Sequence, residues 1–435
     1  MNKLREEYWF FSEQPRQMRI LLQTNLVYAL VLPVIELFLS AYIIRSSRDF
    51  SLVMVYQLAQ GTGIPLTFML NGFLLRRFPI ARIYSAGMIL SGLAMGVMML
   101  LGELTVVGIA GTGLMMGMAY GFFWANRVYL ALTSTQDENR NYYYGLEALF
   151  FTFASIVMPL AAGYLIASTN ELGWFGGKTE HAYYILTGLV VILTFIASAI
   201  INQGKFENPP KARFIFFTFH RLWRKMLLMA SLKGVAQGFV IAAPVMLIMK
   251  LVGEEGSVGS IQSIGAVLSA VMLYVLGRAS APRHRLKIFA GGLLLFVLGA
   301  FVNMTFYNAA GAIFFVGCLV FARPLLDLAY FPTQLGVIEC VSRKEKRNQF
   351  TYIFSHEVGL YLGRVFGCLL FIAIARNLSE DVALRYVLFA VATVQFFAVL
   401  VARSILSDPE WCEAPKKTAL QAGALKEPAE LTQIV

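Results

Sequence analysis

Eight ionisable side chains stand inside long apolar stretches of this 435-residue sequence: Arg127, Lys233, Arg323 and Arg364 against Glu36, Glu147, Asp327 and Glu357. A charge in hydrocarbon is costly unless it is paired, hydrated or turned toward a cavity, so each marks either an internal brace or a site that handles charge. Four against four is balanced, which argues against a strongly positive tunnel for a polyanion. Arg323 and Arg364 fall near the middle of consecutive apolar stretches and Lys233 about one turn from the centre of its own. Such basic groups suit a solute bearing a carboxylate or phosphate, and a solute of both signs suits the balanced set better. Asp327 follows Arg323 by four residues and shares its helix face, while Glu357 precedes Arg364 by seven and lies two turns away on a similar face.

Glu36 follows Pro33 by three residues in the outer half of the first apolar stretch. Low dielectric favours the neutral carboxyl over the carboxylate, which suits a group that carries protons. The alternative is a structural or solute-orienting pair with Lys233; the chain's other candidates for proton coupling are Asp327 and Glu357. Arg127 and Glu147 fall toward the same ends of adjacent stretches, where an ion-pair brace competes with solute binding.

Neutral polar groups occur at similar depth: Gln57 and Gln60 about one turn apart, Gln237 four residues after Lys233, then Gln262 and Ser263. Tyr120, Phe123, Trp124 and Tyr330 either stack on a solute ring or fill the bundle, and the indole N–H of Trp124 wants a partner. Enzyme signatures are missing: there is no HExxH, GxSxG or paired-histidine cluster, and no GxxxxGK[ST] loop to cradle a nucleotide. His181, His220 and His284 sit between apolar stretches, leaving His356, beside Glu357, as a gate or relay candidate. Cys318, Cys340, Cys368 and Cys412 are too scattered for a disulfide scaffold or a metal site. No cofactor or metal is expected.

The elements that must position these groups are membrane spans. The chain is 58% apolar and 14% charged with mean hydropathy +0.66, whereas soluble domains carry about 25% charge. Apolar windows fall at 20–42, 49–75, 83–101, 104–131, 143–168, 182–201, 225–250, 257–277, 287–304, 307–335, 350–374 and 380–404. At about 20 residues per crossing, these predict an all-α integral membrane protein of twelve transmembrane helices. The charged, aromatic amino terminus has no small-residue cleavage site after an apolar core, so the first span reads as a retained signal anchor.

Of the 36 basic residues, 26 fall on the segments that share a side with the termini and six on the other. The positive-inside rule then predicts cytoplasmic termini in a multi-pass protein of the cell membrane. The net charge of +11 follows from this topology; the basic residues are dealt out loop by loop and form no nucleic-acid face. Residues 202–224 read as a cytoplasmic linker, with Asn208-Pro209-Pro210 followed by a basic, aromatic stretch suited to a short interfacial helix. The division is therefore a bundle over 1–201, the linker, a second bundle over 225–404 and a cytoplasmic tail over 405–435. Glycines Gly113, Gly117 and Gly121 form a smooth stripe on the fourth span, and Gly87, Gly92 and Gly96 a similar one on the third, both suited to close helix approach.

Two loop motifs echo across these halves. The segment from Gly72 to Arg77, closing at Arg82, precedes Gly277-Arg278, closing at Lys287, by 205 residues, and Asp137–Asn141 precedes Lys344–Asn348 by 207. Nearly equal offsets suggest duplication of a six-helix unit, and two such halves can rock about a central site. Here the chain resembles the major facilitator superfamily of secondary transporters, over roughly residues 20–404. Gly72, Leu74, Arg77 and Arg82 fit that family's loop motif after the second span, while Arg76 replaces its acid and Pro79 a glycine. The resemblance implies that Gly72, Arg77 and Arg82 serve structure or gating, and that the latch made by the missing acid is rebuilt or absent. Gly145, Ala154, Met158, Pro159, Ala162 and Gly163 keep three of six positions of a fifth-span pattern frequent in exporters, a composition that close packing with a bend also produces.

The expected function is alternating-access transport of a small polar or amphipathic organic solute, anionic or zwitterionic, with protons as coupling ion and the monomer as working unit. Proton-driven export of a drug-like or siderophore-like compound and a non-transporting receptor or assembly protein are the competing readings. The expected solute contacts are Arg323, Arg364, Lys233, Gln57, Gln60, Gln237, Trp124 and Tyr330, with Arg323 and Arg364 facing one cavity and Lys233 close to Glu36.

Overall fold

The computed structural model describes residues 2–135, 137–171, 178–208, 215–253, 255–279 and 284–409, and the regular structure among them is entirely helical. A short helix α1 (Asn2–Glu13) is followed by α2 (Arg16–Ser47), α3 (Phe50–Leu74), α4 (Ile80–Leu100), α5 (Val106–Ser134), α6 (Asp137–Glu171) and α7 (Thr179–Ile201). After the linker come α8 (Arg221–Val252), α9 (Glu255–Ala279), α10 (Arg285–Thr305), α11 (Ala309–Glu345), α12 (Gln349–Asn377) and α13 (Glu380–Leu406). Eleven helices among the described residues are long and apolar enough to cross a membrane. The other long one, α3, has 25 residues but carries Gln57, Gln60, Thr62, Thr67 and Asn71, which dilute its apolar character.

Helix ends are set by local chemistry. Asp49 caps α3 by accepting from Ser51 N at 2.7 Å, and Thr105 caps α5 by accepting from Gly108 N at 3.2 Å. Asn308 begins α11 by accepting from Gly311 N at 2.9 Å, so the polar break between the ninth and tenth apolar windows is a real helix boundary. Asn303, the other polar residue of that break, is instead buried in α10 and donates to Leu384 O at 3.3 Å.

The linker departs from expectation. Residues 215–219 are not helical, so no interfacial helix forms over them, and 209–214 lie outside the described residues. Its Asn208 side chain donates to Leu75 O and Phe78 O, both at 2.8 Å, and accepts from Ile80 N at 2.8 Å. One amide thus ties the linker to the loop where Arg76 stands in place of the expected acid. Arg76 lies over the Phe73 ring at 5.6 Å, and Arg77 and Arg82 are exposed.

Prolines reshape the central helices. Pro33 offers no N–H to the turn before it, and α2 widens into a π turn over Val34–Phe38 immediately afterwards. Helix α8 loosens at Ile241 and Ala242 ahead of Pro244 and ends in a π turn over Ile248–Val252. Helix α2 is the most buried of the candidate spans, 72% over its most apolar window, and α8 is 61% buried, as is α4, against 28% and 22% for α6 and α9.

The glycine stripe of α5 lies on α3. A methyl group at Gly117 would fall on the Gln60 carbonyl, and one at Gly63 would meet Leu114 O at 2.6 Å. Backbone is what a side chain would strike, and it cannot rotate away. Gly117→Val should therefore destabilise the fold by about 1–3 kcal/mol or more, read as a lower melting temperature in detergent; an unchanged melt would show that α3 and α5 can separate freely. Pro159 and Gly163 of α6 make the same kind of approach to Gly259 of α9, so this part of the fifth-span pattern serves helix contact.

Candidate functional site

A cavity of about 440 Å³ lies at the centre, walled by α2, α5 and α6 from the first half of the chain and by α8, α9 and α11 from the second. Its charged groups are Glu36 and Arg323, both accessible from the cavity though far from the protein's outer surface. The π turn after Pro33 presents the Glu36 carboxylate, and α11 presents the guanidinium. Each is an electrostatic partner of the other across the cavity. Arg323 Nη2 also donates to Val240 O at 2.7 Å, the last carbonyl before α8 loosens. Thr152 and Ser155 of α6, Gln262 and Ser269 of α9, and Trp124 of α5 complete the polar and aromatic lining.

A second cavity, of about 280 Å³, lies among α8, α10, α11 and α13 and shares Leu319 and Arg323 with the first. Lys233, Gln237, Asp327 and Tyr330 line it. Lys233 Nζ sits 3.2 Å from Asp327 Oδ1, and 4.1 and 4.4 Å from the ring centres of Tyr330 and Phe331. Tyr330 Oη and His356 Nε2 are 2.7 Å apart, linking this group to α12.

The expected sharing of one cavity by Arg323 and Arg364 does not hold. Arg364 lines neither cavity: it is 8% exposed, donates to Gln237 Oε1 at 3.1 Å, and has Glu357 at 3.7 Å. The small residues Gly61 of α3 and Gly238 of α8 let those two helices approach it closely from two sides. Nor does Lys233 approach Glu36 in this structure; it pairs with Asp327, and the two residues line different cavities. Gln57 and Gln60 are buried on α3 and line neither cavity. Of the expected solute contacts, Arg323 and Trp124 face the central cavity, while Lys233, Gln237 and Tyr330 face the second.

Arg127 and Glu147 form a forked pair, with Nε to Oε1 at 3.0 Å and Nη2 to Oε2 at 2.7 Å. Asn25 Nδ2 and Tyr143 Oη also donate to Glu147 Oε1, at 2.7 and 3.0 Å, and Tyr84 Oη donates to Asn25 Oδ1 at 2.7 Å. The carboxylate is 2% exposed. Arg127 lies over the rings of Trp124 and Phe151, at 5.1 and 5.0 Å, on the protein side of the cavity wall.

A group that sequence reasoning missed closes the opposite end of the bundle. At the end of α2, Arg45 clasps Glu255 at the start of α9 with contacts of 2.5 and 2.8 Å, and Tyr183 of α7 donates to the same carboxylate at 3.0 Å. Beside them Glu380 accepts from Phe50 N at 2.8 Å, and Lys250 stands 3.3 Å from Asp381. These residues sit at helix ends, where a charge ordinarily meets water, so their types alone gave no signal.

Helices spanning a membrane around a central cavity of mixed charge, with the Arg45–Glu255 ion pair and the Phe50 to Glu380 hydrogen bond joining the two halves of the chain at one end, have the form of a carrier. The Major Facilitator Superfamily model matches residues 21–368, and the chain belongs to that family. It is accordingly a secondary transporter working by alternating access, a multi-pass integral membrane protein and not an enzyme. It is 24% identical over 363 residues, 82% of each chain, to the protein called "Uncharacterized protein YqgE" of Bacillus subtilis (strain 168). Its fold is similar to that of the POT family transporter PepTSo, with a TM-score of 0.68 at 11% identity over 91% of this chain and 99% of that one. It is likewise similar to a bacterial homolog of the human lysosomal transporter Spinster in its inward-facing, unoccupied conformation, with a TM-score of 0.63 at 14% identity over 92% and 100%.

Proposed function

We propose that the protein carries a small organic solute, anionic or zwitterionic, whose charged groups lie between Glu36 and Arg323. The observation that carries this reading is the central cavity itself, where one carboxylate and one guanidinium stand on helices from opposite halves of the chain. A solute bridging them draws α2 and α11 together, which couples binding to the relative movement of the halves. The working architecture is twelve spans in two six-helix bundles, 1–201 and 225–404, joined by the cytoplasmic linker 202–224, with a cytoplasmic tail over 405–435. Basic residues concentrated on one set of loops support cytoplasmic termini in the cell membrane. The monomer suffices, because the cavity is complete within one chain.

Counterflow in liposomes tests the reading with labelled propionate, alanine and propylamine as a short anion, zwitterion and cation. Label should accumulate for alanine or propionate and not for propylamine; accumulation of propylamine alone would overturn the charge assignment. A receptor that only binds would accumulate none.

Protons are the coupling ion in this reading, and Glu36 is the best placed carrier, since Asp327 and Glu357 already face Lys233 and Arg364. Glu36→Gln should abolish accumulation driven by a proton gradient; exchange at equal concentrations, which moves no net proton, should persist at saturating solute with a raised half-saturation concentration, because Arg323 still holds the anionic end. Accumulation that follows sodium and ignores pH, or that survives in the Gln variants of Glu36, Asp327 and Glu357 alike, would reject proton coupling.

A further inference from the structure

The cavity behind Arg323 has a chemistry unlike that of the central one. Its wall is mostly apolar, with Met229, Phe289, Phe296, Leu326 and Phe331 among the residues that line it. Apart from Arg323, which it shares with the central cavity, its charges are already matched: Lys233 is held by Asp327 and by the faces of Tyr330 and Phe331, and Gln237 accepts from Arg364. A charged group entering here would have to break one of these contacts, whereas an uncharged one would displace only water from apolar surface. The cavity nevertheless adjoins the central site, because Arg323 and Leu319 belong to the linings of both. At about 280 Å³ it lies just below the usual range for a whole drug-sized ligand, about 300–1,000 Å³, and so suits a part of one.

We propose that this cavity is an apolar subsite receiving an aryl or short alkyl group of the solute whose charged end lies between Glu36 and Arg323. The solute is thus an amphipathic zwitterion, its charged end in the central cavity and its apolar group behind the guanidinium. This deepens the reading of the central cavity and rests on it for the charged end only.

Binding is measured by ligand-induced thermal stabilisation of the purified full-length protein with alanine, phenylalanine, propionate, 3-phenylpropionate and phenethylamine. Phenylalanine and 3-phenylpropionate should each bind at least about tenfold more tightly than alanine and propionate respectively, the scale of discrimination an apolar pocket supplies, and phenylalanine should exceed both singly charged aryl probes. Ala322→Leu and Ala398→Leu each add bulk to the cavity wall and should bring the ratio of phenylalanine to alanine affinity toward one. Should either variant fail to fold, the anomalous signal of iodine from bound 4-iodophenylalanine should appear between Phe289 and Phe296 in the unmodified protein, and iodine anywhere else would overturn the assignment.

Equal affinity for aryl and short probes would overturn the subsite and leave the charge reading intact. An aryl preference that persists in both folded variants would overturn its location. An aryl preference in which phenylalanine does not exceed 3-phenylpropionate would overturn the zwitterion while keeping the subsite and an anionic solute, and one led by phenethylamine would reject the charge reading and keep the subsite. Failure of all five probes to bind would reject both.

Discussion

Arg323→Ala should remove solute binding while leaving a folded protein. The guanidinium is accessible in the central cavity, and its one hydrogen bond of note runs to the Val240 carbonyl at 2.7 Å. Losing that charge-assisted bond costs the fold about 1.5–3 kcal/mol at most, and water in the cavity can take over the carbonyl and the Glu36 carboxylate. A bound carboxylate, by contrast, loses its only cationic partner in the central cavity. Truncating one side of a buried charge pair typically costs about 2–5 kcal/mol, so affinity should fall by about two orders of magnitude or more. Paired measurements of melting temperature and ligand-induced stabilisation decide it. Arg323→Lys should recover part of the affinity, since it restores charge without the forked geometry. A variant that no longer folds, or one that folds and binds as before, would show that Arg323 braces α8 and α11 rather than holding solute.

What the sequence could and could not disclose follows from which coordinate of a helix it encodes. Depth in the membrane is legible, because a span is a run of apolar residues and position within the run is position along the axis. That is why α3, despite Gln57, Gln60, Thr62, Thr67 and Asn71, still fell in the window 49–75, and why Glu36 and Arg323 stood out within their own windows. Direction around the axis is set by neighbours. Arg364 lies near the middle of α12, yet Gly61 and Gly238 bring α3 and α8 close against it and its guanidinium lies in a helix seam. Lys233 has Asp327 on the adjacent face of α11, a pairing that four-residue spacing within α11 could not reveal because it joins two helices 94 residues apart.

The altered loop motif shows the same limit. Substitution of the family's acid by Arg76 left open whether the usual latch is rebuilt or absent, and the bonds that Asn208 makes to this loop come from more than 120 residues further along the chain. The clasp of Arg45, Tyr183 and Glu255 was hidden because each residue sits at a helix end, and only assembly of α2, α7 and α9 makes it a buried cluster.

Glu147→Ala should have the opposite signature to Arg323→Ala: loss of the folded protein, with no selective loss of binding. Removing the carboxylate strands the Arg127 guanidinium against Trp124 and Phe151 and deprives Asn25 Nδ2 and Tyr143 Oη of their shared acceptor. Breaking one side of a buried pair costs about 3–5 kcal/mol, a large share of the roughly 5–15 kcal/mol that holds a typical fold together. The protein should therefore emerge aggregated from size-exclusion chromatography, or melt far below the unaltered chain. The double variant Arg127→Met/Glu147→Leu removes both charges and refills their volume, a change that is often neutral for buried pairs, so it should recover most of the lost stability. Recovery of the fold together with transport would establish the pair as a brace behind the cavity wall. A Glu147→Ala protein that melts normally and fails only in transport would place the pair in the solute's path instead.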